Sequence, residues 1–314
     1  PWRARMTRTV LLNPGPVTLS AKVRAALGEG PDLCHREAEF SALLASIRAR
    51  LLAVYDLDPA QWEAILLTGS GTAAVEAMLT SFVPRTGRLL VAANGVYGER
   101  MTAMAQAHGI RHTEIRSSWL APVDLAAVAR CLETTPDITH LATVQHETTT
   151  GRLNQIDPLA ELCARRGVTL LLDAVSSFGA EALAPEAWPL GGLAGTANKC
   201  LHGVPGISFV IVDRARLAAA GAPQRSLYLD LARYLAAQRE GSAPFTHAVQ
   251  ACLALDAALD EFAAEGGWQA RHRRYADRLA PVAARCEAGG AVPLLPREDT
   301  SVVLNAWRLP PGLD

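Results

Sequence analysis

VTLLLDAVSSFGAEALAPEAWPLGGLAGTANKCLHGVPG, residues 168–206, is the stretch that decides the fold. It begins with a continuous aliphatic run, residues 168–172, that stops at Asp173. A short run of this kind is typical of a strand that is buried on both faces of a parallel sheet. Asp173 is therefore predicted at the C-terminal end of that strand, where open α/β sheets bind their ligands.

The second feature of this stretch is a lone lysine. Lys199 stands among small and apolar residues, and Gly203, Pro205 and Gly206 follow it. A lysine amine in an apolar pocket is suited to form a Schiff base with an aldehyde. Pyridoxal phosphate (PLP) uses a carboxylate to keep its pyridine nitrogen protonated and a lysine to hold its aldehyde as an imine. Asp173 and Lys199 form such a pair.

Each residue also has a simpler interpretation. An aspartate after a strand is more often a helix cap or a turn residue. A lone lysine between apolar residues is more often a surface side chain with a buried stem. Only the combination of the two with a glycine-rich turn earlier in the chain favours a PLP site.

That turn is Gly69-Ser-Gly-Thr72, which lies between a predicted strand at 64–68 and a predicted helix at 73–82. The backbone N–H groups and the dipole of a helix start favour an anion, and Ser70 and Thr72 add hydroxyl donors. No lysine follows the glycines, so this is not a nucleotide P-loop. On its own, a Gly-Ser-Gly turn can equally be a simple connector.

The net charge, the cysteines and the lengths of the apolar runs argue against several functional classes. Thirty Lys and Arg against 31 Asp and Glu give a net charge of −1, so no basic field for nucleic acid or an anionic membrane is expected. The 6 cysteines are scattered, without a CxxC pair, which favours free thiols in a reducing cytosol over disulfides or a metal site. No apolar run is long enough to span a bilayer.

Strands and helices alternate along the chain until about residue 213, which predicts an α/β fold with a mostly parallel sheet. Residues 1–245 are interpreted as an N-terminal arm and a large PLP-binding domain. Residues 246–314 are interpreted as an interdomain helix and the start of a smaller α+β C-terminal domain, with a strand at 302–307. This small domain is expected to be incomplete at Asp314.

Six motifs together resemble fold-type I PLP enzymes, and among them the class V aminotransferases. The motifs follow that family's order and spacing over roughly residues 8–265. They are LLNPGP, LTGSGTAAVEA, NGVYGER, HETTTG, DAVSSFGA and TANKCLHGVPG. The HETTTG loop, the NKCLHGVPG segment and residues 225–230 most resemble the members that transaminate 2-aminoethylphosphonate with pyruvate.

The resemblance implies a role for each matching residue. Lys199 matches the Schiff-base lysine, and Asp173 matches the partner of the pyridinium nitrogen. The implied cofactor-binding residues are Ser70, Gly71, Thr72, Tyr97, Thr148, Asp173, Val175, Asn198, Lys199 and Thr246. Among these, the first three match the phosphate cradle, Tyr97 the aromatic that stacks on the cofactor ring, and Val175 the residue under its other face.

The remaining matches concern the edges of the implied site. Thr148 matches a hydroxyl near O3′ of the cofactor, and Asn198 matches the polar residue before the lysine. Thr246 matches a threonine that reaches the phosphate of a neighbouring subunit, which implies a homodimer with shared active sites. An arginine that binds the substrate carboxylate in this family has no counterpart up to Asp314 and is expected beyond it.

The implied reaction is transfer of the amino group of 2-aminoethylphosphonate to pyruvate. Lys199 is expected to move the proton between the donor carbon and the cofactor. Transamination of alanine or serine with glyoxylate is the alternative within the family. A non-catalytic α/β module that binds an anion or a nucleotide at the glycine turn is the alternative from another class.

Overall fold

The computed structural model describes residues 9–221 and 225–312. Residues 1–8 of the predicted arm and 313–314 of the predicted small domain therefore lie outside the described residues. The strands, in chain order, are β1 (Trp62–Gly69), β2 (Arg88–Ala93), β3 (His112–Arg116), β4 (Ile138–Val144), β5 (His146–Glu147), β6 (Arg152–Leu153), β7 (Thr169–Asp173), β8 (Leu190–Thr196), β9 (Gly206–Asp213), β10 (Val292–Pro293) and β11 (Trp307–Arg308).

The helices flank these strands in the order that the alternating pattern predicts. They are α1 (Ala21–Glu29), α2 (Ala38–Ala53), α3 (Gly71–Phe82), α4 (Val96–Ala107), α5 (Leu125–Thr134), α6 (Asp157–Arg166), α7 (Arg214–Ala219), α8 (Leu231–Arg239), α9 (Val249–Ala264) and α10 (Gly267–Ala288).

A seven-stranded sheet runs through the described residues in the order β1-β9-β8-β7-β4-β2-β3. The pairs between β3 and β8 along this order are parallel, whereas β9 is antiparallel to both of its neighbours. Since β1 and β8 both oppose β9, they run in the same direction as the rest. The predicted mostly parallel α/β sheet is confirmed, with one reversed strand.

The aliphatic run of β7 is buried on both faces, as its composition predicts. Leu170, Leu171 and Leu172 are all fully buried. Alternate residues point into two separate apolar clusters, so Leu170 and Leu172 belong to one and Leu171 to the other. The first cluster includes α1, α2, α5, α6 and α9, and the second includes α3, α4, α7 and α8. Helices therefore cover both faces, as in a doubly wound fold.

The parallel direction of the strands places their carboxyl ends at one edge of the sheet. Asp173 ends β7, the glycine turn follows β1, and the start of α4 follows β2. These three sites are far apart in the sequence but share this edge. We refer to it below as the carboxyl edge.

Helix α4 starts earlier than the sequence pattern predicts. The pattern predicts a helix from about residue 99, whereas α4 begins at Val96. Tyr97 therefore lies in the first turn of the helix and not in the preceding loop. The carboxylate of Glu147 accepts hydrogen bonds from the N–H groups of Tyr97 and Gly98 at 3.1 and 3.4 Å, which stabilises the early start.

The predicted strand at 302–307 is wrong over most of its length. Only Trp307 lies in a strand, the two-residue β11, which pairs with β10. The start of the predicted strand bonds to a side chain instead of a neighbouring strand. Glu181 accepts hydrogen bonds from the Ser301 hydroxyl (2.5 Å) and the Val302 N–H (2.9 Å). The bond of the Val302 N–H uses a group that a ladder would need, and a local apolar pattern does not reveal it.

Candidate active site

A cavity at the carboxyl edge brings five of the predicted site residues together. It lies where the first turns of α3 and α4 meet the end of β7. The residues that line it are Gly71, Thr72, Val75, Tyr97, Arg100, Met101, Met104, Asp173 and Val175. Thr72, Arg100 and Asp173 are the polar residues of the lining, and the rest is mainly apolar or aromatic.

Asp173 is a buried carboxyl group in this cavity, with 6% of its surface exposed. Its Oδ1 accepts a hydrogen bond from the Val175 N–H at 2.9 Å. Burial raises the pKa of the Asp173 carboxyl to about 6 and Glu147 adds to the rise, while the Val175 N–H, Arg100 and Lys199 oppose it. A carboxyl group held in this way is a strong acceptor for a cationic N–H, because such a partner relieves the cost of burying the charge.

The start of α3 is open toward an anion. Ser70 is the N-cap residue, with an extended backbone, and no side chain within the described part of the chain caps this helix. Its first N–H groups and its dipole are therefore available to a negatively charged ligand. Gly71 allows close packing here, since a Cβ on it would lie 2.6 Å from Cγ1 of Val175. This helix start suits the phosphate group of PLP.

The aromatic and cationic side chains of α4 form the next part of the site. The Cζ of Arg100 lies 4.7 Å from the centre of the Tyr97 ring, within range of a cation–π contact. Arg100 Nη1 also donates to Thr72 Oγ1 at 3.4 Å. The guanidinium thus connects the first turns of α3 and α4, and it adds a positive charge that the sequence interpretation did not assign to the site.

Lys199 lies in the connection between β8 and β9, next to the carboxyl edge. Its Nζ donates a hydrogen bond to the Gly15 carbonyl at 3.2 Å. A Cβ on Gly15 would lie 2.4 Å from Cδ of Lys199, so the two residues are in tight contact. The sequence analysis quoted this segment only as the LLNPGP motif and did not predict the contact. The preceding Asn198 is half-buried, and its Oδ1 accepts from the Thr196 hydroxyl at 2.9 Å.

Five of the ten predicted residues are not in the lining of the cavity. They are Ser70, Asn198 and Lys199, described above, and Thr148 and Thr246. Thr148 is half-buried in the loop between β5 and β6. Thr246 is exposed just before α9. The next two residues are anchored to Thr68, because Ala248 N–H donates to Thr68 Oγ1 at 3.0 Å and His247 Nδ1 lies 3.2 Å from the same oxygen. Thr246 therefore lies near the glycine turn, on the outside.

Sequence reasoning missed three residues at this site, namely Gly15, Arg100 and Glu147. Each lies inside one of the quoted motifs, namely LLNPGP, NGVYGER and HETTTG, without having been assigned a role. The spacing from Tyr97 to Arg100 is three residues, about one helical turn, and could have indicated a shared face. The contacts of Gly15 and Glu147 are long-range and leave no such local signal.

The comparisons with known proteins identify the family. A model of the class-V aminotransferases matches residues 26–279. A 2-aminoethylphosphonate–pyruvate transaminase of Aeromonas hydrophila is 40% identical over 306 residues, which cover 96% of this chain and 80% of that protein.

Two solved structures show the same fold. Pyridoxamine–pyruvate aminotransferase from Mesorhizobium loti superposes with a TM-score of 0.88 at 28% identity, covering 98% of this chain and 78% of the other. An aspartate aminotransferase of subgroup IV from Thermus thermophilus gives 0.86 at 29% identity, covering 97% and 84%.

The chain therefore belongs to the class V aminotransferases, with the fold-type I architecture and PLP as its cofactor. The expectation of a PLP-dependent aminotransferase is confirmed, and the alternative of a non-catalytic binding module is excluded. Among the residues that the structure describes, no helix combines the length and the apolar character needed to cross a bilayer.

The burial of Asp173 is predicted to make the stability of the folded chain depend on pH. The pKa of its carboxyl is about 6 in the folded chain, against about 3.9 in an unfolded one. The contribution of this carboxyl to the stability of the folded chain is therefore complete below about pH 4 and is lost as the pH rises through about 6. The free energy of unfolding changes by ~3 kcal/mol over this range.

Asp173→Asn keeps the acceptor for Val175 and does not ionise. We expect thermal unfolding of the cofactor-free protein to show this variant gaining stability relative to the unchanged protein between pH 4.5 and 7.5. Parallel pH profiles would contradict the prediction.

Proposed function

We propose that this aminotransferase transfers the amino group of 2-aminoethylphosphonate to pyruvate, giving phosphonoacetaldehyde and L-alanine. One observation carries the proposal: relatives named for this reaction are 36–40% identical to the chain across 96% of its length. The reaction balances, because the aldehyde and the new amino acid together contain all the atoms of the donor and the keto acid. The proposed role is the breakdown of phosphonates.

In the proposed site, different residues hold the aldehyde, the ring nitrogen and the phosphate of PLP. Bound through Lys199, PLP supplies an electron sink for the carbon that loses its proton. Asp173 accepts the hydrogen bond of the ring N–H and holds the proton on that nitrogen. Ser70, Gly71 and Thr72 bind the phosphate at the start of α3.

The walls of the proposed site orient the ring and its substituents. Tyr97 stacks on one face, and Val175 packs against the other. Thr148 donates its hydroxyl to the ring oxygen, and Asn198 orients the segment that carries the lysine. Lys199 Nζ would be the base that takes the proton from the donor carbon and gives it back.

We also propose a homodimer in which Thr246 contributes to the site of the partner. Thr246 is exposed in the single chain, although the next two residues are anchored beside the glycine turn. Leu227 and Tyr228 are also exposed, at 66% and 41%, and the Tyr228 hydroxyl donates to the Thr68 carbonyl at 3.0 Å. Exposed apolar side chains around an active site favour an interface with a second copy.

The location and the domain division remain predictions. The free thiols favour the cytosol, where they stay reduced. We place the division near residue 245, so that residues 1–245 form the arm and the PLP-binding domain. Residues 246–314 then begin the small domain, with α9 as the connecting helix.

Lys199 is expected to carry the cofactor covalently. Borohydride reduction of the PLP-loaded protein, followed by peptide mapping, should place one pyridoxyl group on this residue. Lys22, the second of the two lysines, is a built-in control because it is exposed and pairs with Asp260 at 2.9 Å. A label on Lys22, or none on either lysine, would refute the assignment.

The donor is expected to be the phosphonate. In a single turnover without keto acid, 2-aminoethylphosphonate should bleach the visible absorbance of the bound cofactor at least tenfold faster than L-serine. L-Alanine should also react, because it is the product of the reverse half-reaction, and pyruvate should restore the absorbance. A fast reaction with L-serine and none with the phosphonate would favour the glyoxylate aminotransferases instead.

The shared site predicts complementation between two inactive chains. Lys199→Ala removes the attachment point, and Thr246→Asp places a carboxylate against the partner's phosphate. Co-expression should restore up to about half of the activity, since one site of each mixed dimer has both original residues. If Thr246 serves its own chain, or if the protein is a fully active monomer, mixing will add nothing to the separate activities.

A further inference from the structure

A buried carboxylate outside the proposed chemistry lies beneath the aromatic wall of the site. Glu147 has none of its surface exposed. Its Oε2 accepts from the N–H groups of Tyr97 (3.1 Å) and Gly98 (3.4 Å) in the first turn of α4. Its Oε1 accepts from the N–H (3.2 Å) and hydroxyl (2.5 Å) of Thr149. All four partners are donors, as an acceptor-only carboxylate requires.

Two further contacts fasten the same helix start. The Thr149 hydroxyl oxygen accepts from the Val96 N–H at 3.2 Å. A Cβ on Gly95 would lie 2.2 Å from Cγ of Glu147, so the chain before α4 lies directly against the carboxylate side chain. We call Glu147 and Thr149 the α4 clasp. It binds the N–H groups of residues 96, 97 and 98, which the helix itself cannot satisfy.

The α4 clasp acts on the part of α4 that faces the cavity. Tyr97 and Arg100 both lie within the first turns of this helix and line the cavity. A shift of the helix start would move the ring of Tyr97 and, with it, the guanidinium that lies 4.7 Å from the ring centre. Small displacements of positioning groups are known to lower rates strongly. The clasp is therefore connected to the site through the backbone N–H groups of residues 96–98.

The charge of Glu147 also reaches the site. Together with Asp173 it puts two buried carboxyl groups at the carboxyl edge. The positive charges that favour the ionised form of Asp173 are those of Arg100 and Lys199. A second negative charge makes Asp173 a better acceptor for a cationic ring N–H. A neutral amide in place of Glu147 would keep the volume and remove this effect.

We propose that Glu147 is a positioning residue of the transamination, which holds Tyr97 over the cofactor ring through the N-terminus of α4 and supports Asp173 by its negative charge. This inference rests on the stacking role proposed above for Tyr97. A carboxylate that served stability alone would leave the bound cofactor as it is in the unchanged protein. The visible circular dichroism of bound PLP and its dissociation constant therefore distinguish the two roles.

The test uses Glu147→Gln in the full chain, with Glu99→Gln as the matched control. Glu99 lies on the same helix, but its side chain is 30% exposed and it bonds to Trp119 outside the cavity. We expect Glu147→Gln to weaken PLP binding at least tenfold and to reduce the visible dichroism. The control should match the unchanged protein in both. Thr149→Val, which removes the hydroxyl, should shift both quantities in the same direction by a smaller factor.

A double-mutant cycle keeps the test valid if Glu147→Gln folds poorly. Gly95→Ala should weaken PLP binding in the unchanged chain, because its methyl group displaces Glu147. In a Glu147→Ala chain the same methyl group fills the vacated space, so the added loss should disappear. Additive losses in this cycle would overturn the proposal.

Tyr97→Ala separates failure of this inference from failure of the proposed site. If Tyr97→Ala alters the dichroism and Glu147→Gln lowers only the unfolding temperature, Glu147 is structural and the proposed site stands. If Tyr97→Ala leaves the dichroism and the PLP affinity unchanged, the stacking role fails, and the inference about Glu147 fails with it. Labelling of Lys199 and the donor preference test the reaction independently of both.

Discussion

The burial of one carboxyl group, Asp173, is the constraint on which the arrangement of the carboxyl edge depends. A carboxylate at the end of a central strand, covered by helices on both faces of the sheet, loses most of its hydration. The chain offsets this loss only in part, with one N–H donor and the charges of Arg100 and Lys199. The remaining deficit suits Asp173 to a cationic partner, such as the ring N–H of PLP that we propose for it.

The single reversed strand, β9, explains how the lysine reaches this edge. A parallel connection would have to cross the sheet and return from the opposite edge. Because β9 runs antiparallel to β8, the connection at 197–205 stays at the carboxyl edge. Local hydrogen bonds shape it: Gly203 N–H donates to the Ala197 carbonyl at 2.8 Å, and Ala197 N–H to that of Ile207 at 3.0 Å. The lysine is therefore presented by a short, well-bonded loop and not by a mobile one.

The parts of the fold that follow from burial could be predicted from the sequence, and the parts that follow from long-range polar contacts could not. The aliphatic run before Asp173 indicates a strand that is buried on both faces. The shared direction of the strands then brings the glycine turn and Tyr97 to the carboxyl edge. The Glu147–Tyr97 and Lys199–Gly15 contacts join residues 50 and 184 positions apart. No local period encodes such pairs. The failed strand at 302–307 has the same cause, since its partner is the side chain of Glu181.

Glycines provide the sequence signal that these contacts otherwise lack. A Cβ would lie 2.4 Å from Lys199 at Gly15, 2.6 Å from Val175 at Gly71 and 2.2 Å from Glu147 at Gly95. In each case the missing side chain makes room for a residue from a different motif. Gly71 and Gly95 have no unusual positive φ, so the close approach, not the backbone conformation, requires glycine there. A glycine of this kind indicates that another residue packs closely against it, but only the fold shows which residue that is. The glycines of NPGP, GSGT and NGVY thus make room for the side chains of Lys199, Val175 and Glu147 around the proposed cofactor site.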